Sequence, residues 1–305
     1  MRKGATERLR ELLDVPGLIH APVSYDPLSA RIAESLGFSM AYLGGYAFGA
    51  STCITEPLTT MTEMVQGAGR IARSINIPLV IDGDAGFGEP MHTMRAIREM
   101  IWAGVAGTHI EDQHFPKRAH YHRDYREHVV SLEEMLGKLR MALRARDEED
   151  PDFVIIGRTD AMRTDGYEEG VRRANAFLEA GVDLVMLFPN DDEETERAAH
   201  DVEGPVVYVN SPGNRIGRPV LSAQRLEELG YKLVVDAASP ILMALRAVRH
   251  AYEALKEGAL PIDPAEAVAL RKDLEDLVGL EEFYKIEEET VEKAKGETVE
   301  GAARS

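Results

Sequence analysis

The chain has 305 residues, 44% apolar and 29% charged, with 53 acidic against 35 basic side chains and a formal net charge of −18. That length suits two domains of about 150 residues or one (β/α)8 barrel of about 250 residues with additions. The composition argues against a disordered chain. The acidic balance argues against a nonspecific nucleic-acid binder or a polybasic membrane-surface protein.

The one cysteine, Cys53, rules out an intrachain disulfide and a multi-thiolate metal site. It lies between the second strand and the next helix, where a lone thiol reads as inert. No apolar run approaches the roughly 18 residues that span a membrane. The first eight residues lack the apolar stretch of a signal peptide, so a cytoplasmic location is expected.

In chain order, short apolar and β-branched runs predict strands at 18–23, 40–43 and 78–82, with a helix at 62–75 before the third. A helix at 93–103 and a strand at 108–111 follow. Next come a helix at 132–145, a strand at 153–158 and a helix at 168–180. Strands at 184–188, 206–210 and 232–236 complete the series. Gly37, Gly104, Gly181 and Gly230 stand where a helix must stop before the next strand. The alternation predicts an α/β parallel (β/α)8 barrel. An open doubly wound sheet is the alternative, but no Gly-x-Gly-x-x-Gly follows the first strand. One barrel domain over residues 1–305 is expected, with a helical arm from about residue 262. Two charged helices are predicted there, at 266–277 and 281–295. Ala267, Leu270, Leu274 and Leu277 give the first an apolar stripe, suited to the barrel's outside or to a neighbouring subunit.

Chemistry in such a barrel sits at the carboxyl ends of the strands. The third strand ends in Asp82-Gly83-Asp84-Ala85-Gly86-Phe87-Gly88. Two carboxylates bracketing a glycine can face one cation; the alternative is a solvated Asx turn. The fourth ends in His109-Ile110-Glu111-Asp112-Gln113, adding carboxylates to the same rim. Few carboxylates plus water and substrate oxygens suit Mg²⁺ or Mn²⁺ better than Zn²⁺. Arg158, ending the fifth strand, serves either an internal salt bridge or a substrate carboxylate. Asn210, ending the seventh, can donate to the same substrate.

Two loops stand out. Residues 113–128 are basic and aromatic in an acidic chain, and read as a lid or a subunit contact. His114, His120 and His122 with Asp112 could form a zinc site there, a weaker reading than packing or hydrogen bonding. In residues 210–219, Arg215 and Arg218 are either surface charges or partners for a distal carboxylate of a diacid.

These motifs resemble the isocitrate lyase and phosphoenolpyruvate mutase superfamily over about residues 10 to 260. The run from Asp82 to Gly88 is close to that family's Asp-x-Asp-x-Gly-Phe-Gly. Ile110-Glu111-Asp112-Gln113, Phe115-Pro116-Lys117-Arg118, Gly157-Arg158-Thr159-Asp160-Ala161, Leu187-Phe188-Pro189 and Asn210 support it. The resemblance implies a Mg²⁺-binding barrel whose final helices are exchanged in a homo-oligomer, a tetramer or dimer. It implies cleavage or formation of C–C or P–C bonds beside a 2-oxo acid or its enolate. By position it implies Asp82 on the metal, with Asp84 and Glu111 holding it directly or through water. It implies Arg158 gripping a substrate carboxylate, Gly44 and Gly45 after Tyr42 presenting N–H groups, Asn210 on the substrate and Lys117 in the gating loop.

The chain departs from the family's pattern. Ala119 stands where the C–C lyases carry a proton-transferring cysteine, leaving His120, Tyr121 or His122 to replace it. Gly44 replaces a common serine. Ile54-Thr55-Glu56-Pro57 replaces a Pro-Asp pair, so the third acidic contact is absent or falls to Thr55 or Glu56. Asn190 replaces a glutamate. The reading is a Mg²⁺-dependent lyase or decarboxylase of a small 2-oxo or 2-hydroxy di- or tricarboxylate, oxaloacetate being one candidate. Alternatives are a P–C mutase or hydrolase, and a catalytically lapsed barrel serving as a scaffold. The acidic trio argues against the last, since buried like charges are costly without a cation.

Overall fold

The computed structural model describes residues 4–118 and 128–292. Eight parallel strands pair in the order β1-β8-β7-β6-β5-β4-β3-β2. They are β1 (Ile19–Pro22), β2 (Ala41–Leu43), β3 (Leu79–Asp82), β4 (Gly107–Glu111), β5 (Val154–Arg158), β6 (Leu184–Met186), β7 (Val206–Asn210) and β8 (Leu233–Asp236). A parallel bridge between Val23 and Tyr42 joins the two ends of this order and closes the barrel. Each expected strand is present, its ends shifted by at most two residues, inward except at β4, which begins one residue earlier at Gly107.

The helices are α1 (Ala5–Asp14), α2 (Pro27–Ser35), α3 (Gly45–Ser51), α4 (Met61–Ser74), α5 (Pro90–Trp102), α6 (Leu132–Glu149) and α7 (Ala161–Thr164). They continue with α8 (Tyr167–Glu179), α9 (Asp192–Asp201), α10 (Ala223–Glu228), α11 (Ser239–Lys256), α12 (Pro264–Val278) and α13 (Leu280–Glu287). Side chains of Asp26, Thr60, Ser131, Asp191 and Ser222 accept from the first-turn N–H groups of α2, α4, α6, α9 and α10. The four glycine stops adopt φ of 87° (Gly37), 85° (Gly104), 105° (Gly181) and 90° (Gly230), where other residues are strained.

Strand alternation sorts the core into two layers. Val80, Val154, Ile156, Leu184, Met186, Val207, Val209, Leu233 and Val235 fill the barrel interior. Leu79, Ile81, Ile110, Ile155, Val185, Tyr208 and Val234 pack outward against helices. The same alternation fixes the rim. Counting two residues on from an interior residue puts Asp82, Arg158 and Phe188 on the inner face, and Gly107 leads to His109 and Glu111. Asn210 follows Val206 and Tyr208 on the outer face.

The chain divides into two units, Met1–Ala244 and Leu245–Ser305. The division falls inside α11, ahead of the arm expected from about residue 262. Among the described residues, Ala238 is the last buried one. In the second unit, Gly279 at φ 74° separates α12 from α13, and a π-helical turn (Glu288–Glu292) follows α13. The helix expected at 281–295 is therefore shorter as an α-helix.

Phe177 on α8 is fully buried against β5, where a Cβ on Gly157 would lie 2.9 Å from its ring. Phe177→Ala is expected to lower unfolding stability by about 3–5 kcal/mol. Urea unfolding followed by circular dichroism measures the loss.

Candidate active site

At the carboxyl end of the barrel a cavity of about 550 Å³ is lined by Tyr42, Gly44, Gly45, Glu56, Asp82 and Arg158, among others. Its acidic side is built from three places in the chain. Asp82 ends β3, Glu111 ends β4, and Glu56 lies in a 3-10 turn (Glu56–Leu58) after α3. Asp84 follows in a tight turn at φ 52°. One Asp82 oxygen accepts from the N–H of Asp84 at 2.8 Å and the other from the N–H of Gly45 at 3.1 Å. The Gly45 N–H is thus committed to Asp82, although Gly44 and Gly45 both line the cavity.

Lys117 unites the acidic groups. Its side chain is 1% exposed, and Nζ contacts Glu56, lies 2.7 Å from Glu111 Oε1 and 3.6 Å from Asp84 Oδ2. Burial disfavours its charge, but Asp84, Glu111, Glu56 and Asp82 outweigh burial and hold its pKa well above the ordinary lysine value. Arg158 Nη1 lies 2.7 Å from the other Glu111 oxygen, and Nη2 lies 3.2 Å from Asp160. Glu111 is fully buried, which pushes its pKa up to about 8 despite Arg158 and Lys117. Burial also raises Asp84, against the pull of Lys117. Burial opposes the charge of Asp82 too, yet His109 (protonated at the low pH where Asp82 titrates), Lys117, Arg158 and the Asp84 N–H hold it below the usual carboxylate range.

Sequence reasoning passed over His109. It shares the inner face of β4 with Glu111, and its Nε2 sits 2.8 Å from the Tyr42 hydroxyl. Burial lowers its pKa to about 4, so it is neutral at pH 7. Glu56 entered the sequence reading only as a substitute for a missing acid, yet it lies in the cluster. Asp112 stands apart from this carboxylate cluster. It accepts from Thr159 at 2.7 Å, from the Asp160 N–H at 3.0 Å and from Arg173 at 3.0 Å.

The structure does not bring Asn210 to the cavity. Its amide donates to Leu221 O at 2.7 Å and accepts from Leu221 N at 3.1 Å, so both ends anchor the following loop. Its outer-face position in β7 is the reason. His120, with Ala119, Tyr121 and His122, lies outside the described residues. His114 packs edge-on to His128, their centroids 6.4 Å apart.

The acidic side fits a divalent cation. Its donors are hard carboxylate oxygens. Both Glu111 oxygens lie near cations without a hydrogen bond of good geometry. A Cβ on Gly45 would stand 2.7 Å from Glu56 Cγ and 3.0 Å from Asp82 Oδ2, so only glycine leaves this cradle open. Among the described residues no three such side chains already converge as a ligand set; the Lys117 ammonium lies among them instead.

A phosphoenolpyruvate phosphomutase family model matches residues 9–256. The chain belongs to the phosphoenolpyruvate mutase/isocitrate lyase superfamily. Within this superfamily it is 35% identical to 2,3-dimethylmalate lyase of Eubacterium barkeri, over 92% of this chain and 96% of that one. The structure of oxaloacetate acetylhydrolase with the inhibitor 3,3-difluorooxalacetate superposes with a TM-score of 0.86 at 28% identity, covering 93% and 96% of the two chains. Phosphonopyruvate hydrolase in complex with oxalate and Mg²⁺ superposes with a TM-score of 0.82 at 27% identity, covering 95% and 100%. A divalent metal is a property of the superfamily, and no helix among the described residues is long and apolar enough to cross a membrane.

Lys117→Met leaves Glu56, Asp84 and Glu111 without their ammonium. In metal-free buffer its unfolding stability is expected to fall by about 3–5 kcal/mol, as for a buried ion pair that loses one partner. Urea titration of wild type and variant checks this.

Proposed function

We propose that the protein is a cytoplasmic, Mg²⁺-dependent lyase or decarboxylase. It breaks a C–C bond of a small 2-oxo or 2-hydroxy di- or tricarboxylate by way of an enolate. The observation that carries this reading is the carboxylate cluster of Glu56, Asp82, Asp84 and Glu111 beside Arg158, which lines the same cavity. A 2,3-dimethylmalate lyase of 35% identity supports it.

Asp82, Asp84 and Glu111 would hold the metal, and Glu56 adds a further carboxylate beside them. Bound there, Mg²⁺ supplies Lewis acidity that stabilises negative charge developing on the substrate's oxo oxygen. The rest falls to the chain's own groups. Arg158 binds the substrate carboxylate, oriented for it by Glu111 and Asp160. Tyr42 lines the same cavity, its hydroxyl fixed by neutral His109. Lys117, at the start of the loop after β4, pairs with Glu56 and Glu111 and holds these carboxylates in place. Loss of CO₂ needs no cysteine, so Ala119 is compatible with decarboxylation. Cleavage of a 2-hydroxy acid needs a base for its hydroxyl proton, and His120 is proposed for that role.

A second reading is P–C bond chemistry. The absence of the lid cysteine favours it, as does the likeness to phosphonopyruvate hydrolase.

A coupled pyruvate assay with and without Mg²⁺ tests both. Oxaloacetate, 2-methylisocitrate, an alkylmalate and phosphonopyruvate are the substrates. Mg²⁺-dependent pyruvate from a carboxylate is the expected outcome, and pyruvate from phosphonopyruvate alone would replace the first reading with the second. Asp82→Ala is expected to abolish the activity and keep the circular dichroism of the fold. Full activity in that variant would overturn the metal assignment.

The second unit completes the proposal. Leu245, Val248, Tyr252 and Leu255 on α11, Leu270, Leu274 and Val278 on α12, and Phe283 and Ile286 on α13 are all exposed apolar side chains. A second copy of the chain is proposed to cover them in a dimer or tetramer. Light scattering is expected to show an oligomer, and removal of residues 259–305 to lower its order.

A further inference from the structure

The wall that carries Arg158 holds more charge than the proposed chemistry needs. Arg158, Arg163 and Arg218 all stack on Phe188, their guanidinium carbons 4.5, 4.3 and 4.7 Å from its ring centroid. Cations gathered on one ring repel each other unless carboxylates offset them. Asp160 lies 3.2 Å from Arg158 and 3.5 Å from Arg163. Glu111 serves Arg158 but is shared with Lys117.

Arg218 has no such partner. Among the described residues it forms no ion pair. Its Nε donates to Pro189 O at 3.0 Å and its Nη2 to Val209 O at 3.4 Å, and its guanidinium lies 5.7 Å from the Tyr208 ring centroid. Carbonyl dipoles and ring faces solvate a cation without neutralising it. Arg218 is only 5% exposed, and what it exposes lines the cavity. Burial and neighbouring Arg163 lower its pKa to about 10, which leaves it charged at pH 7. A buried cation without a counter-ion is costly.

The loop is folded to keep it there. Asn214 accepts from the Arg218 N–H at 2.9 Å and donates to the Arg218 carbonyl at 3.1 Å. The Asn210 amide fixes the loop's far end at Leu221.

We propose that Arg218 and Arg163 form a second anion subsite, which receives the acidic group at the far end of the substrate. That group is a carboxylate or a phosphonate. Arg158 holds the carboxylate beside the reacting carbonyl. The inference rests on the oxo-acid reading of the site and narrows it to acids that carry an anionic tail.

Calorimetry of the full chain with Mg²⁺ tests this with three probes. Oxalate fills only the oxo-acid end. Phosphonopyruvate and 3,3-difluorooxaloacetate add a phosphonate and a carboxylate tail. Arg218→Gln is expected to weaken both tailed probes roughly 30-fold or more, as when one member of a buried charge pair is truncated. Oxalate affinity is expected to stay within about threefold, well under the 1.4 kcal/mol of a tenfold change. Loss for one tailed probe alone would name that tail. If Arg218→Gln does not fold, Arg163→Gln and Arg218→Lys give the reading. Arg163→Gln should weaken tailed probes only, and Arg218→Lys should retain part of their affinity. Equal weakening of all three probes, or no weakening, overturns the subsite. Oxalate failing to bind the wild-type chain would sink the oxo-acid reading. A selective loss of tailed probes in Arg218→Gln would still support the subsite.

Discussion

An excess of negative charge at the ends of β3 and β4 governs this site. Four carboxylates, Glu56, Asp82, Asp84 and Glu111, act on one ammonium, that of Lys117. Parallel pairing sets Asp82 beside His109 and Glu111 beside Arg158. Neighbouring strands lie only about 4.8 Å apart, so the backbone cannot relieve the crowding of these groups. Cations must do so. Arg158 takes one Glu111 oxygen and Lys117 the other, each at 2.7 Å. The placing of Lys117 and the orientation of Arg158 are both consequences of that demand.

The barrel was legible because buried parallel strands leave a strong mark. Runs such as Leu79–Asp82 and Val206–Asn210 are apolar along their length and punctuated by turn residues. Helices with a small apolar face left less. Only Thr195 and Ala198 are buried on α9, too few to set a stripe, and no helix was expected there.

The site was legible where it follows strand alternation. Asp82, Glu111 and Arg158 stand two residues on from inward positions. His109 obeys the same rule, and counting back from Glu111 would have found it. Asn210 sits at a strand end as Arg158 does, but on the outer face, a difference visible only once the interior residues of β7 are known. Glu56, Arg163 and Lys117 lie in a 3-10 turn, a four-residue helix and a loop. No period runs through such segments, so no spacing could place these side chains.

The cavity has two ends of opposite sign. Glu56 and Asp82 line one, and Arg163 and Arg218 the other. It therefore acts as a fixed dipole, and a bound molecule has a right and a wrong direction. An oxo diacid turned end for end would still set an acidic group at each end, but its oxo oxygen would lie beside Arg218 and away from the carboxylates that would hold a cation. The oxo group, and not the charge, thus decides which way round such a molecule is held, and a symmetrical dianion would lose that selection altogether.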